Sequence, residues 1–261
     1  MNEMLASLHD VGKRYRSGTV ALAAFELVVR SGEFVTLLGP SGCGKSTALR
    51  LLAGLEKPSS GRVERSLPGK PGSIGFVFQE PTLMPWARIN ENVLLPLRLQ
   101  GVSTRLARRR VEEVLALVGL ETFGKAYPRE LSGGMRMRVS IARALVLRPA
   151  LLLMDEPFAA LDEITRFRLN DDLLRLKEEL TTTIIFVTHS VYESVYLSTR
   201  VVVMAAQPGR IVAEIPIDLD LPRKPDLRVS AAYMDLCRRT SQALAGAASE
   251  TPPHDRSGKP T

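Results

Sequence analysis

Gly39-Pro40-Ser41-Gly42-Cys43-Gly44-Lys45-Ser46-Thr47 fits G-x-x-x-x-G-K-[ST], the pattern of a phosphate-binding loop. The apolar run Phe34-Val35-Thr36-Leu37-Leu38 precedes it, with the length and character of a strand. Ala48-Leu49-Arg50-Leu51-Leu52-Ala53 follows, reads as helix and stops at Gly54. Strand, glycine loop and helix together turn the pattern into a site. Glycines let the backbone curl until several N–H groups point at one anion, and the helix N-terminus adds partial positive charge. Lys45 is placed to reach the β- and γ-phosphates, and the Ser46 hydroxyl to ligate Mg²⁺.

Composition sets the class. The 261 residues are 45% hydrophobic and 24% charged, which fits a globular chain with a sizeable core. No apolar run approaches the ~20 residues of a membrane-spanning helix. Met1 to Asp10 lack a basic segment followed by an apolar one, so secretion is not expected. Of the two cysteines, Cys43 sits in the glycine loop, so a structural disulfide with Cys237 is not expected and a reducing cytosol fits. The net charge of +7 is compatible with nucleotide, nucleic acid or a membrane surface. The densest basic run, Arg105 with Arg108-Arg109-Arg110, opens a helix striped by Leu106, Val111, Val114, Leu115 and Val118. A solvated face is the ordinary reading, with anionic lipid the alternative. No interleaved aromatics support single-strand nucleic-acid binding.

Further strands are read near Arg62-Val63-Glu64 and Ile74 to Phe78. From Thr82 to about Leu147 helical periodicity replaces strand signals, which predicts an inserted helical lobe. Continuous apolar runs return at Leu151 to Met154, Thr183 to Val187 and Val201 to Met204, as expected of parallel strands buried on both faces. A helix over roughly Glu163 to Leu180 joins the first two as a right-handed crossover. A last amphipathic helix is predicted over Leu227 to Leu244, and residues 246–261 read as a disordered tail.

A second constellation closes the strand Leu151 to Met154, where Asp155 and Glu156 follow. Ligands of open α/β sheets bind beyond the carboxyl ends of the strands, so these carboxylates emerge beside the glycine loop. Asp155 can hold Mg²⁺ opposite Ser46, and Glu156 can act as general base on a water. Ser132 reads as the N-cap of a helix whose first turn holds Gly133 and Gly134. Glycine costs up to ~1 kcal/mol per helical position relative to alanine, so the pair suggests close approach of a guest to bare backbone. An anion is favoured there. This helix start lies in the other lobe, which suggests that it serves a site on a second copy. His189 and Gln79 each follow a strand at the same sheet edge, and the Gln79 amide can reach Mg²⁺ or the lytic water.

Together these residues resemble the ATPase subunit of an ABC transporter. Gly39 to Thr47 resembles Walker A and Leu151 to Glu156 Walker B. Leu131-Ser132-Gly133-Gly134-Met135 resembles the signature, Gln79 the Q-loop, His189 the switch histidine and Ala160-Leu161-Asp162 the D-loop. Tyr15 fits the aromatic that stacks on adenine. The resemblance covers residues 5 to about 215. It implies an α/β fold, a P-loop NTPase (RecA-like) core with a parallel sheet, an inserted helical lobe and an antiparallel β portion. Residues 1–245 would form one ATPase domain, with 1–81 and 148–225 as catalytic core and 82–147 as lobe. It implies ATP and Mg²⁺ as cofactors, with Ser46, Gln79 and Asp155 at the metal. It implies a head-to-tail homodimer with Ser132 acting in trans, integral-membrane permease subunits, an indirect soluble binding protein, no nucleic acid, and a peripheral place on the cytoplasmic face of the cell membrane.

The run Phe78-Gln79-Glu80-Pro81-Thr82-Leu83-Met84-Pro85-Trp86, Met135, and Ala205 to Ile211 with its Pro208-Gly209-Arg210 turn are similar to the nitrate/sulfonate/taurine importer branch. Met137 departs from the glutamine usual there, which bears on the surface contacts of the signature helix. A lipid-trafficking or export ATPase is the nearer alternative. A soluble ABC ATPase acting on nucleic acid or ribosomes is the farther one.

Overall fold

Two long strands precede the glycine loop, β1 (Met4–Arg14) and β2 (Val20–Arg30). The computed structural model describes residues 3–67, 69, 72–220 and 222–249. β1 pairs antiparallel with β2 on one side and with β4 (Ser60–Arg65) on the other. In β2, Phe25, Leu27 and Val29 alternate inward, the period of a half-buried strand.

The second sheet has six strands. Its order is β5 (Ile74–Val77), β6 (Leu151–Asp155), β7 (Thr183–Thr188), β3 (Phe34–Leu38), β8 (Arg200–Ala205) and β9 (Arg210–Pro216). The pairings from β5 through β8 are parallel, and β9 closes the edge antiparallel to β8. The neighbours β6, β7 and β3 therefore present their carboxyl ends side by side.

Both faces of this sheet are covered. Phe34, Leu38, Leu152, Met154 and Phe186 face one core, packed by helices. Val35, Leu37, Leu153, Val187 and Met204 face the other, shared with β1, β2 and α1 (Lys45–Ala53). Each such fully buried side chain contributes ~1.5–3 kcal/mol relative to exposure, and this dictates the continuous apolar runs.

The lobe between β5 and β6 holds α2 (Ile89–Leu99), α3 (Thr104–Leu117) and α4 (Gly133–Leu145). α5 (Glu163–Leu180) makes the crossover from β6 to β7. α6 (Val191–Leu197) follows β7, and α7 (Ala231–Ser249) packs on α6 and β8. No helix of the described residues is long and apolar enough to cross a membrane.

Three differences from the sequence reading have physical causes. A 3-10 turn at Pro225–Val229 holds the segment where the last helix was expected to start, and Ser230 then leads into α7. Gly246 to Ser249, expected in the disordered tail, belong to α7, where Ala247 is buried. Residues 250–261 lie outside the described residues. Met137, expected to bear on surface contacts, is 2% exposed and lies in the core shared by lobe and sheet.

Candidate nucleotide site

The loop after β3 delivers the head of α1. Gly44 caps that helix in the left-handed region at φ 90, which an L side chain adopts only with strain. Lys45 follows and is nearly buried, at 4% exposure. Its Nζ donates to the carbonyls of Gly39 at 2.8 Å and Pro40 at 2.9 Å, so the ammonium arches back over the loop. Ser46 donates its hydroxyl to Asp155 Oδ1 at 2.7 Å, joining the loop to the end of β6.

Glu156 is the next residue and stands at φ 45. A non-glycine residue in that region costs ~1–3 kcal/mol, and the fold bears it here to aim a carboxylate. The backbone N–H of Glu156 donates to Val187 O at 3.1 Å. Its side chain lies 3.7 Å from Lys45 Nζ and 3.5 Å from His189 Nδ1. Three strand-end segments thus bring Lys45, Ser46, Asp155, Glu156 and His189 into one cluster.

A cleft of about 500 Å³ opens over this cluster. Ser41, Gly42, Gly44, Lys45, Ser46 and Thr47 line it from the loop, together with Gln79 and Glu156 and with Tyr15, Thr19, Val20 and Ala21. The Tyr15 hydroxyl bonds with Thr47 Oγ1 at 3.2 Å and donates to Glu56 Oε2 at 3.0 Å. Lys13 Nζ stands 5.1 Å from its ring centroid, so one face carries a cation.

Other expected residues are placed differently. Ser132, Gly133, Gly134 and Asp162 are not among the residues lining this cleft. Ser132 caps α4, accepting from Met135 N–H at 3.3 Å. Asp162 caps α5, accepting from Thr165 N–H at 2.9 Å, and that bond holds its carboxyl below the usual range. The glycine pair divides: a Cβ on Gly134 would come within 2.7 Å of Thr165 Cγ2, whereas one on Gly133 would meet nothing closer than 3.5 Å. Close packing of α4 on α5 therefore accounts for Gly134, and an approaching guest is needed to explain Gly133 alone. Cys43, inside the loop pattern, turns inward. Its side chain is fully buried in the core beneath the loop, and burial pushes its thiol up. Its sulfur does not face the cleft; its backbone shapes the loop.

Gln207 lines the cleft and was not read as a site residue. Its turn is docked through Gly209, whose N–H donates to Ala21 O at 3.0 Å and whose carbonyl accepts from Ala23 N–H at 3.2 Å. The sequence singled out Ala205 to Ile211 by resemblance, without a role.

Asp155 is 7% exposed, and burial pushes its carboxyl up against the opposing pull of the Ser46 hydrogen bond. A carboxyl raised on folding holds its proton more tightly in the folded state. Stability therefore falls as pH rises from the unfolded to the folded pKa, and stays lower above it. Asp155→Asn is expected to raise the melting temperature of the nucleotide-free chain at neutral pH by about 2–4 °C, equivalent to ~1 kcal/mol. The gain should shrink on acidification, which thermal denaturation across pH checks. An unchanged or lowered melting temperature would refute this account of Asp155.

Residues 22–159, over half of the chain, match the ABC transporter family. The chain belongs to the ABC transporter ATPase family. An uncharacterized ABC transporter ATP-binding protein of Methanocaldococcus jannaschii is 48% identical over 227 residues, covering 86% of this chain and 84% of that protein. An aliphatic sulfonates import ATP-binding protein of Pseudomonas syringae is 46% identical over 224 residues, covering 84% and 90%. Among solved structures, a dimeric ATP-binding cassette in a post-hydrolysis state bound to ADP and Pi superposes with a TM-score of 0.73 at 34% identity, covering 83% of this chain and 100% of that one. The fold is that of an ABC ATPase, and the cluster at the strand ends is its candidate hydrolytic centre.

Proposed function

We propose that this ABC ATPase binds Mg-ATP at a head-to-tail dimer interface and powers uptake of a small anion such as nitrate, an aliphatic sulfonate or taurine. The work passes to a separate permease at the cytoplasmic face of the cell membrane, supplied by a soluble binding protein. The observation that carries the dimer reading is a site complete on one side. Lys45, Ser46, Asp155, Glu156 and His189 converge, while the Ser132–Gly133 helix start is an anion-binding feature outside that cleft. The importer branch rests on relatives named for aliphatic sulfonate import, from Pseudomonas syringae and Bacillus licheniformis. Trp86, 77% exposed, and Phe78, 38% exposed, offer apolar surface after β5 for a permease contact.

The residues present fit Mg²⁺. Ser46 Oγ and Asp155 Oδ1 are adjacent hard oxygens at the loop, and Gln79 lines the same cleft. Among the described residues no group of three or more His, Cys, Asp or Glu could hold a metal. That suits an ion bound by one carboxylate with phosphate and water completing its shell. Bound Mg-ATP would supply the γ-phosphoryl group and offset its charge. Lys45 turns its donors from the loop carbonyls to phosphate oxygens. Glu156 takes a proton from the attacking water, and His189 holds Glu156 and the γ-phosphate in register. Tyr15 stacks its open face on adenine, and Gln79 reports occupancy to the helical lobe.

Two measurements test this reading. A chain carrying Glu156→Gln should dimerise in ATP, and adding Ser132→Arg should return it to monomer with ATP affinity of the single subunit retained. Light scattering with and without ATP decides; equal dimerisation of both variants rules out Ser132 at the interface. Deleting the gene should abolish growth on the transported compound as sole sulfur or nitrogen source. Unchanged growth on alkanesulfonates, taurine and nitrate would exclude the proposed substrates.

A further inference from the structure

Beneath His189 runs a chain of contacts that the steps above do not use. Thr188, the last residue of β7, donates its hydroxyl to Glu193 Oε2 at 2.5 Å. The same hydroxyl accepts the Ser190 N–H at 3.0 Å, so two bonds bracket His189. Glu193 lies on α6 at 6% exposure, and burial pushes its carboxyl up. Its Oε1 faces Arg166 Nε on α5 at 3.6 Å. Both atoms are buried, and neither makes a hydrogen bond. The far end of the Arg166 guanidinium donates to Leu161 O at 2.9 Å, the peptide before Asp162. A continuous path therefore leads from the Leu161–Asp162 turn, through Arg166, Glu193 and Thr188, to the turn that carries His189.

A buried pair kept only for stability gains most when donor and acceptor close to hydrogen-bond distance. This pair stands just outside it. A displacement of a few tenths of an ångström at either end makes or breaks that bond, and buried bonds of this kind respond steeply to distance. One end rests on the Leu161–Asp162 turn. The other rests under His189, whose Nδ1 is 3.5 Å from Glu156. We infer that Arg166 and Glu193 are positioning residues that set the His189–Glu156 geometry according to where the Leu161–Asp162 turn stands. The inference rests on the reading of Glu156 and His189 as the hydrolytic pair.

The test is steady-state ATP turnover of the full chain, with nucleotide affinity and melting temperature measured on the same samples. Arg166→Lys keeps the charge but lacks the fork that spans Leu161 O and Glu193, so it is expected to fold. Arg166→Lys and Glu193→Gln should lower kcat about tenfold and leave KM and affinity within about twofold, the mark of a loss confined to the reacting geometry. Thr188→Val should behave the same way, and Thr188→Ser, which keeps the hydroxyl, should recover most of the turnover that Thr188→Val loses. In a His189→Ala background, Arg166→Lys should cost less than about a further twofold, because both act through one residue. The inference is overturned if Arg166→Lys keeps wild-type kcat, if its loss multiplies with that of His189→Ala, or if KM and melting temperature move with kcat. Should His189→Ala itself turn over normally, the hydrolytic reading fails and the inference falls with it.

Discussion

Glu156→Gln is expected to lower ATP turnover about 10³-fold while leaving ATP binding intact, because a general base contributes ~10²–10⁴ and an amide cannot take the proton. Size and shape are conserved, so the strand end should keep its form. The carboxylate is held by its backbone bond to Val187, stands between Lys45 and His189, and is 21% exposed at the cleft. Water can therefore reach it without the site unfolding. With hydrolysis stopped and binding preserved, the ATP-bound dimer should accumulate. Single-turnover hydrolysis and light scattering in ATP check the two halves separately. Turnover within tenfold of wild type, or a monomer at saturating ATP, would remove Glu156 from the role assigned to it.

Lys45→Ala is expected to weaken ATP binding about 100-fold, the scale of one or two lost hydrogen bonds to a charged group. The phosphates lose the ammonium, whereas the bonds from Lys45 Nζ to the Gly39 and Pro40 carbonyls belong to the nucleotide-free loop and their loss adds nothing to the weakening. Glu156 also loses the cation 3.7 Å away, so residual turnover should fall further than affinity does. Equilibrium binding of a fluorescent ATP analogue, followed by turnover at saturation, separates these terms. Affinity within about threefold of wild type would mean that backbone N–H groups alone hold the phosphates.

Local chemistry was legible where the residues that do the work are neighbours in the chain. The strand, loop and helix from Phe34 to Ala53 carry their own punctuation, and α5 matches the expected Glu163 to Leu180, with the structure adding the Asp162 cap and the left-handed Thr181 at its ends. β1 was not separable by pattern. Its register shifts near Leu8, Val11 and Lys13, and such irregularities break the two-residue alternation. The far walls of the cleft were hidden for another reason. Thr19 to Ala21 and Gln207 meet only because β2 docks on the turn before β9 through Gly209, a pairing that no local window contains. Motif letters also say nothing about which way a side chain turns. Cys43 stands inside the loop pattern yet packs into the core, and Gly134 stands inside the signature yet makes room for Thr165.

The wall formed by Tyr15, Thr19, Val20 and Ala21 bears on which nucleotide the cleft accepts. The hydroxyl of Tyr15 is engaged with Thr47 and Glu56, and that of Thr19 bonds with Ser17 at 3.1 Å. What remains is an aromatic face and short apolar side chains. Stacking is indifferent to base identity, since every base has a π-face, whereas strong rejection of an analogue needs hydrogen bonds to the base edge. With the grip at the phosphates and the base held by stacking, this wall of side chains by itself gives little ground for telling GTP from ATP.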